Sequence, residues 1–240
     1  MRQMGAQSYD EFIGQADVIE GTERAQMVKT VGRDVANAVE RYMREHGEAD
    51  QVKKLNWEFN LIQNDAANAF AMPGGKVAVF SGIMPIAETK TGLAVIMAHE
   101  VAHVIADHGN ERMSQALLVQ LGGVALNKAL EEKPQLTRQL FLAAFGLGAQ
   151  VGVLLPYSRL HESEADELGL VFMAMAGYDP REAVDFWQRM EKAHEGSGAP
   201  PEFLSTHPSH RTRIQNLKDS MPKALDYYNK QKPLANPTKG

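Results

Sequence analysis

The chain has 240 residues, no cysteine and a formal net charge of −5. That length allows one sizeable core or two small domains, and the missing cysteine excludes disulfides, Cys-ligated zinc fingers and thiol nucleophiles, so any metal must sit on histidines and carboxylates. Charges of both signs are well mixed and no Lys/Arg stripe forms, which argues against a nucleic-acid partner.

The N-terminal MRQMGAQSYDEF holds no apolar run and is not a signal peptide as written; a targeting segment would have to precede Met1. Residues 6–20 read as helix. From Thr22 to His46 the helical pattern is clear: Met27, Val31, Val35, Val39 and Met43 recur at helical spacing, Thr22 can cap, and Gly47 stops the run. Leu55 to Ile62 alternates like a strand, with Trp57, Phe59 and Leu61 on one face. Pro73-Gly74-Gly75 is a turn between two β-prone runs, Ala69 to Met72 and Lys76 to Phe80, so a small antiparallel sheet of three or more strands is predicted over residues 55–80. A helix starting near Thr89 or Thr91 follows and runs to His108. Residues 112–155 read as two apolar helices broken near Lys133-Pro134. Their most apolar stretch, Leu140 to Pro156, is shorter than the ~20 residues of a membrane span and contains Gln150. It is predicted to be a buried helix, with a membrane-apposed helix as the alternative. A helix from Ser158 stops at Gly177, and Asp179-Pro180 starts another that runs to His194. EGSGAPPEF reads as a loop, Ser209 to Ser220 as a last short helix, and the end of the chain as extended or disordered. The fold class is α+β and mainly helical, as a single domain over residues 1–228 with a polar tail over 229–240.

The chemistry concentrates in MAHEVAHVIADH, residues 97–108. His99 and His103 are four apart, so on a helix they lie one turn apart on one face, where two imidazoles can reach one tetrahedral cation. Glu100 is rotated by about 100° from His99, so it flanks such a metal rather than binding it, in the place of a general base. The apolar flanks make the helix buried, and two histidines and a glutamate on a buried helix are costly unless paired or metal-bound. A catalytic zinc needs a third protein ligand. SRLHESEADELGLVF offers Glu162, Glu164, Asp166 and Glu167. Glu162 and Asp166 are one turn apart and share a face, which favours Glu162 as third ligand and Asp166 as the acceptor that orients a ligand histidine. Glu164 stays open as the competing ligand, and ESEADE taken alone is an ordinary exposed acidic face. His108 reads as a polar helix end, His161 points away from the ligand face, and His46 sits at a helix C-terminus. FGLGAQVG lacks dinucleotide spacing, no G-x-S-x-G occurs, and the twelve methionines are scattered as core filler.

The set HEVAH, ESEAD and STHPSHRTRI resembles the zinc metalloproteases related to HtpX and the CAAX prenyl proteases, in particular the soluble, envelope-localised branch that includes BepA and LoiP. The resemblance covers residues 10–220. It implies a gluzincin-type (zincin) metallopeptidase with one Zn2+ per chain, held by His99, His103 and Glu162, with Glu100 as base and Asp166 behind the ligands. It places the family's His-Pro segment on His207 and Pro208, with Arg213 close after it. His207 would lie near the metal, either closing the open position or stabilising the oxyanion; judged by its neighbours alone, a histidine before proline in a loop is a solvated one. Asn68, Ala69, Phe70 and Ala71 resemble the strand that pairs with an extended peptide. The implied activity is endopeptidase cleavage of unfolded or misassembled polypeptides in the periplasm or cell envelope, with membrane proximity through an anchor preceding Met1. The alternative is a holdase-type quality-control protein whose zinc site is closed by His207. Relatives of that branch often carry helical repeats after the protease domain; none occurs in these 240 residues, so repeat-mediated docking is not expected.

Overall fold

A computed structural model of the chain describes residues 2–150, 154–195, 203–204, 207 and 212–231. His210, Pro208 and the tail beyond residue 231 lie outside the described residues, as does most of the EGSGAPPEF segment. The helices are α1 (Arg2–Ile13), α2 (Glu23–Glu45), α3 (Ala49–Val52), α4 (Met84–Ala87), α5 (Lys90–Ile105), α6 (His108–Ala129), α7 (Gln135–Ala149), α8 (Leu155–Met175), α9 (Glu182–Glu195) and α10 (Arg213–Gln231). The strands are β1 (Val18–Ile19), β2 (Glu58–Ile62), β3 (Ala69–Met72) and β4 (Lys76–Phe80). Where the sequence suggests one domain, the chain falls into two compact units, residues 1–106 with 163–240, and residues 107–162.

In the first unit, the sheet has the order β1-β2-β4-β3. It is mixed, which corrects the antiparallel expectation: β1–β2 and β3–β4 pair antiparallel, but β2 and β4 run parallel, with Phe59 opposite Val77 and Leu61 opposite Val79. The turn at Gly74 and Gly75, both at positive φ (99° and 91°), makes the β3–β4 hairpin, and it is β4, not β3, that lies beside β2. A Cβ at Gly75 would also come within 2.9 Å of the Trp57 ring, so glycine is required there twice over. Strand alternation then sorts the side chains. Phe59, Leu61, Ala69, Val77 and Val79 join the main core with α2 and α5, while Ile62, Ala78 and Phe80 pack with Tyr9 of α1. The Tyr9 hydroxyl donates to the Val77 carbonyl at 2.9 Å, which ties α1 to the sheet.

Several boundaries move from their predicted places. Residues 18–19 form β1 rather than the end of a helix. Helix α5 stops at Ile105, because Asp107 adopts φ 59°, and His108 opens α6. The last helix runs through Pro222 to Gln231 instead of stopping at Ser220. Thr22 caps α2 as expected, accepting from the Ala25 amide.

The second unit contains the hairpin of α6 and α7, packed on each other through contacts such as the Phe145 ring against Gly122. Of the predicted buried helix from Leu140 to Pro156, residues 151–153 lie outside the described residues, and the part within α7 is not buried. Leu140, Phe141 and Leu147 are 63%, 55% and 65% exposed, and Ala149 is the only residue of α7 that is buried. An apolar run predicts burial only if something is there to cover it, and the hairpin offers α7 one neighbour. His108 and His161 are both buried, with rings stacked 4.3 Å apart, and Glu111 Oε2 lies 2.7 Å from His161 Nε2. His108 is therefore not a polar helix end.

Candidate metal centre

The site is built on α5. Thr89 caps it, accepting from the Gly92 amide at 3.1 Å. Every residue from Gly92 to His103 is buried. A Cβ on Gly92 would sit 2.0 Å from the Ala87 carbonyl oxygen, so only glycine lets α5 start this close to the preceding turn.

Three imidazoles converge. His103 Nε2 lies 3.1 Å from His99 Nε2, and His207 Nδ1 lies 3.4 Å from the same atom. One nitrogen of each ring falls within 4.8 Å of the others. These separations can be tested against zinc. Two nitrogens each ~2.0–2.1 Å from a tetrahedral ion are about 3.3 Å apart, so the arrangement has the dimensions of a tetrahedral site. The donor set also fits, because His99 Nδ1 faces Asp166 Oδ1 at 3.0 Å. With the Nδ1 proton directed to that carboxylate, Nε2 turns its lone pair to the centre.

Asp166 is itself anchored. Arg213 donates to Asp166 Oδ1 at 2.6 Å, and the guanidinium lies 3.3 Å above the centre of the Trp187 ring. Burial alone would push the Asp166 carboxyl up, but the Arg213 charge and the His99 hydrogen bond outweigh it and hold the carboxyl below its usual range. The Trp187 ring meets His99 edge-on at 5.7 Å, and Phe203 stacks on His207 at 4.5 Å. The backbone of His207 donates to the Phe203 carbonyl at 2.8 Å. His207 Nε2 lies 3.4 Å from Glu100 Oε1, so this one ring touches both His99 and the glutamate beside it.

Helix α8 approaches α5 at Gly169, where a Cβ would lie 3.2 Å from the His99 backbone. Burial sorts the acidic run of α8. Glu162 and Asp166, one turn apart, are buried, while Glu164 and Glu167 are exposed and Glu167 pairs with Lys223 at 2.7 Å. Strand β3 is one of the two edge strands, and α5 packs beside it. Asn68 and Ala69 are buried, but the Phe70 ring turns to the far face of the sheet, against Phe12 and Phe80. The Phe203 amide donates to the Ala67 carbonyl at 3.1 Å, just before that strand.

Trp187, Phe203, Gly92 and Gly169 were not anticipated. Phe203 had a faint signal, four residues before His207; a mid-helix glycine two turns after Glu162 was another.

The model of Peptidase family M48 matches residues 31–221. The chain belongs to peptidase family M48. Among curated relatives, it is 40% identical over 170 residues to the mitochondrial metalloendopeptidase OMA1 of Schizosaccharomyces pombe, covering 71% of this chain and 48% of that protein. With the protein of the same name from Saccharomyces cerevisiae it is 36% identical over 180 residues, 72% of this chain and 50% of the relative. With the beta-barrel assembly-enhancing protease of Escherichia coli it is 27% identical over 221 residues, 90% of this chain and 43% of the relative. The chain thus spans about half the length of these relatives. It carries a zinc metalloendopeptidase domain of the zincin type, and zinc is its cofactor.

Proposed function

We propose that this M48 domain hydrolyses peptide bonds in extended or unfolded polypeptides. The observation that carries the reading is the convergence of the His99, His103 and His207 nitrogens at tetrahedral spacing with Glu100 alongside. His99, His103 and Glu162 would hold zinc. Glu162 is assigned because it is buried and lies one turn before Asp166, whose carboxylate touches His99. Bound zinc supplies the Lewis acid that polarises the scissile carbonyl. Glu100 takes a proton from the attacking water and delivers it to the leaving amine. Asp166 and Arg213 keep His99 in one tautomer and orientation. The substrate backbone adds to the sheet along Asn68, Ala69, Phe70 and Ala71.

A second reading has support of its own. His207 stands against both His99 and Glu100, which is where an incoming carbonyl and water would have to be. The resting chain is then latent, with His207 closing the site and the protein acting as a holdase until the ring is displaced. Substrates are taken to be unfolded or misassembled proteins of a cell envelope. That compartment rests on the resemblance to the envelope branch and on the relative named for β-barrel assembly; the OMA1 relatives are named as mitochondrial.

The deciding experiment is cleavage of casein by the zinc-loaded chain, with Glu100→Gln beside it. Cleavage by the parent alone supports the peptidase reading. If neither cuts while zinc is bound, His207→Ala should release activity. Silence from that variant too would overturn proteolysis in favour of the holdase. Zinc titration of Glu162→Ala and Glu164→Ala tests the third ligand. Loss of affinity in the second variant and not the first would move the ligand to Glu164.

A further inference from the structure

Among the described residues, every exposed large apolar side chain lies between Met113 and Leu160, and each is more than half exposed. Residues 113–127 of α6 carry no charge, and residues 140–149 of α7 carry no polar side chain at all. Charges gather instead at the two ends of the hairpin, with Glu111 and Arg112 at its base and Lys128, Glu131, Glu132 and Lys133 around its tip.

Helical phase, at about 100° per residue, sorts the rest. On α6, Leu117, Leu121 and Val124 project directly away from α7. On α7, Leu140 and Leu147 project directly away from α6. Leu118 and Phe141 share one broad face of the hairpin, where a cleft of about 900 Å3 opens between Leu118, Gly122, Phe145 and Gly148. Gln120, Asn127, Gln139 and Gln150 fall on the opposite broad face. Ser114 and Gln115 line the same cleft near the base of the hairpin, so the apolar part of that face runs from Leu118 toward the tip, continues around both outer edges, and leaves the remaining face polar.

We propose that the α6–α7 hairpin is a membrane-docking element, lying in the interface of a lipid bilayer with Leu118 and Phe141 downward and its charged ends among the headgroups. A flat protein partner, including a second copy of this chain, covers one face. It leaves two outer edges, pointing in opposite directions, in water. Acyl chains close around the face and both edges together. The charge distribution matches a bilayer as well, with an uncharged stretch bounded at both ends. That stretch, 15 residues or about 22 Å long on α6, is shorter than the ~30 Å hydrocarbon core, and no helix of the described residues is long and apolar enough to cross a membrane. The hairpin therefore lies on the bilayer and does not span it. From His108 to Ala149 it carries four cations and three anions, so docking is apolar rather than electrostatic and needs no anionic lipid.

Flotation of the chain with phosphatidylcholine vesicles tests this directly. The chain should float, to a similar extent at low and high salt. Leu118→Glu with Phe141→Glu should abolish flotation. Gln120→Glu with Gln139→Glu, the same charge on the same helices but on the polar face, should leave it intact. The chain has no cysteine, so Leu140→Cys, labelled with an environment-sensitive dye, reports docking without disturbing the face; its emission should shift to the blue when vesicles are added. The proposal is overturned if the parent stays with the soluble fraction, or if both pairs of variants behave alike. It is equally overturned if the parent forms a dimer that Phe141→Glu breaks while vesicles bind nothing, which would assign the face to a second copy.

Discussion

Helices α5 and α7 are made from nearly the same residues and meet opposite fates. Leu93 to Ala98 on α5 and Leu140 to Ala149 on α7 are both unbroken apolar runs. Every residue of the first is buried, and α7 buries Ala149 alone. What separates them is the number of neighbours. Helix α5 has α2 and β3 on two sides and α9 on a third, so its polar interruptions, His99, Glu100 and His103, are forced into a dry interior where they must be paired or hold an ion. Helix α7 has α6 and little else, so its apolar surface is offered outward. Hydropathy reports that a helix wants to leave water; it does not report whether protein or lipid receives it.

The comparison can be broken first at α5, through the group that only a dry interior makes effective. Glu100→Gln should lower turnover by roughly 10²–10⁴-fold and leave zinc content unchanged, as read by metal analysis of the purified variant. Zinc lost along with activity would mean that Glu100 binds the metal, and the division of labour on α5 would be wrong. Close behind in size is Ile96→Ala, at a side chain with no exposure. It should cost about 2–5 kcal/mol in urea unfolding, because α5 has neighbours on several sides that cannot all collapse into the space. A smaller effect is expected one layer out from the imidazoles. Asp166→Asn should weaken zinc binding about 10–100-fold, measured by competition with a chromophoric chelator. The amide can present its NH2 group to His99 Nδ1 and favour the wrong tautomer. An unchanged affinity would show that packing against Trp187 and Gly169 orients His99 without the carboxylate.

The same contrast explains what was legible in the sequence. His99, Glu100 and His103 lie within one and a half turns, so helical geometry alone arranges them. Glu162 and Asp166 are likewise one turn apart, and the separation of Glu162 from Glu164 by helical phase agrees with their burial. His207 is different. It meets His99 through a contact more than a hundred residues away in sequence, with its amide bonded to Phe203, and only the family resemblance pointed there. The parallel pairing of β2 with β4 was missed for the same reason, since a local turn at Gly74-Gly75 announces the β3–β4 hairpin and says nothing about the strand on the other side. Trp187 left no trace at all: a tryptophan in an amphipathic helix is usually core, and its role under Arg213 exists only once α9 and α10 meet.

The smallest expected effect is the most pointed. Leu140→Ala removes as much apolar surface as many core truncations, yet the side chain is 63% exposed. In vesicle-free solution it should change unfolding free energy by no more than about 0.5 kcal/mol, since water covers the residue in both states and α6 does not touch that edge of α7. Had this leucine been packed, a truncation would cost about 2 kcal/mol or more. A null result in water combined with weaker flotation on vesicles would show that the selective value of this leucine is spent outside the folded chain. A loss of 2 kcal/mol in water would show the reverse: that α7 has found a protein neighbour in solution, and that its exposure is not the hairpin's working state.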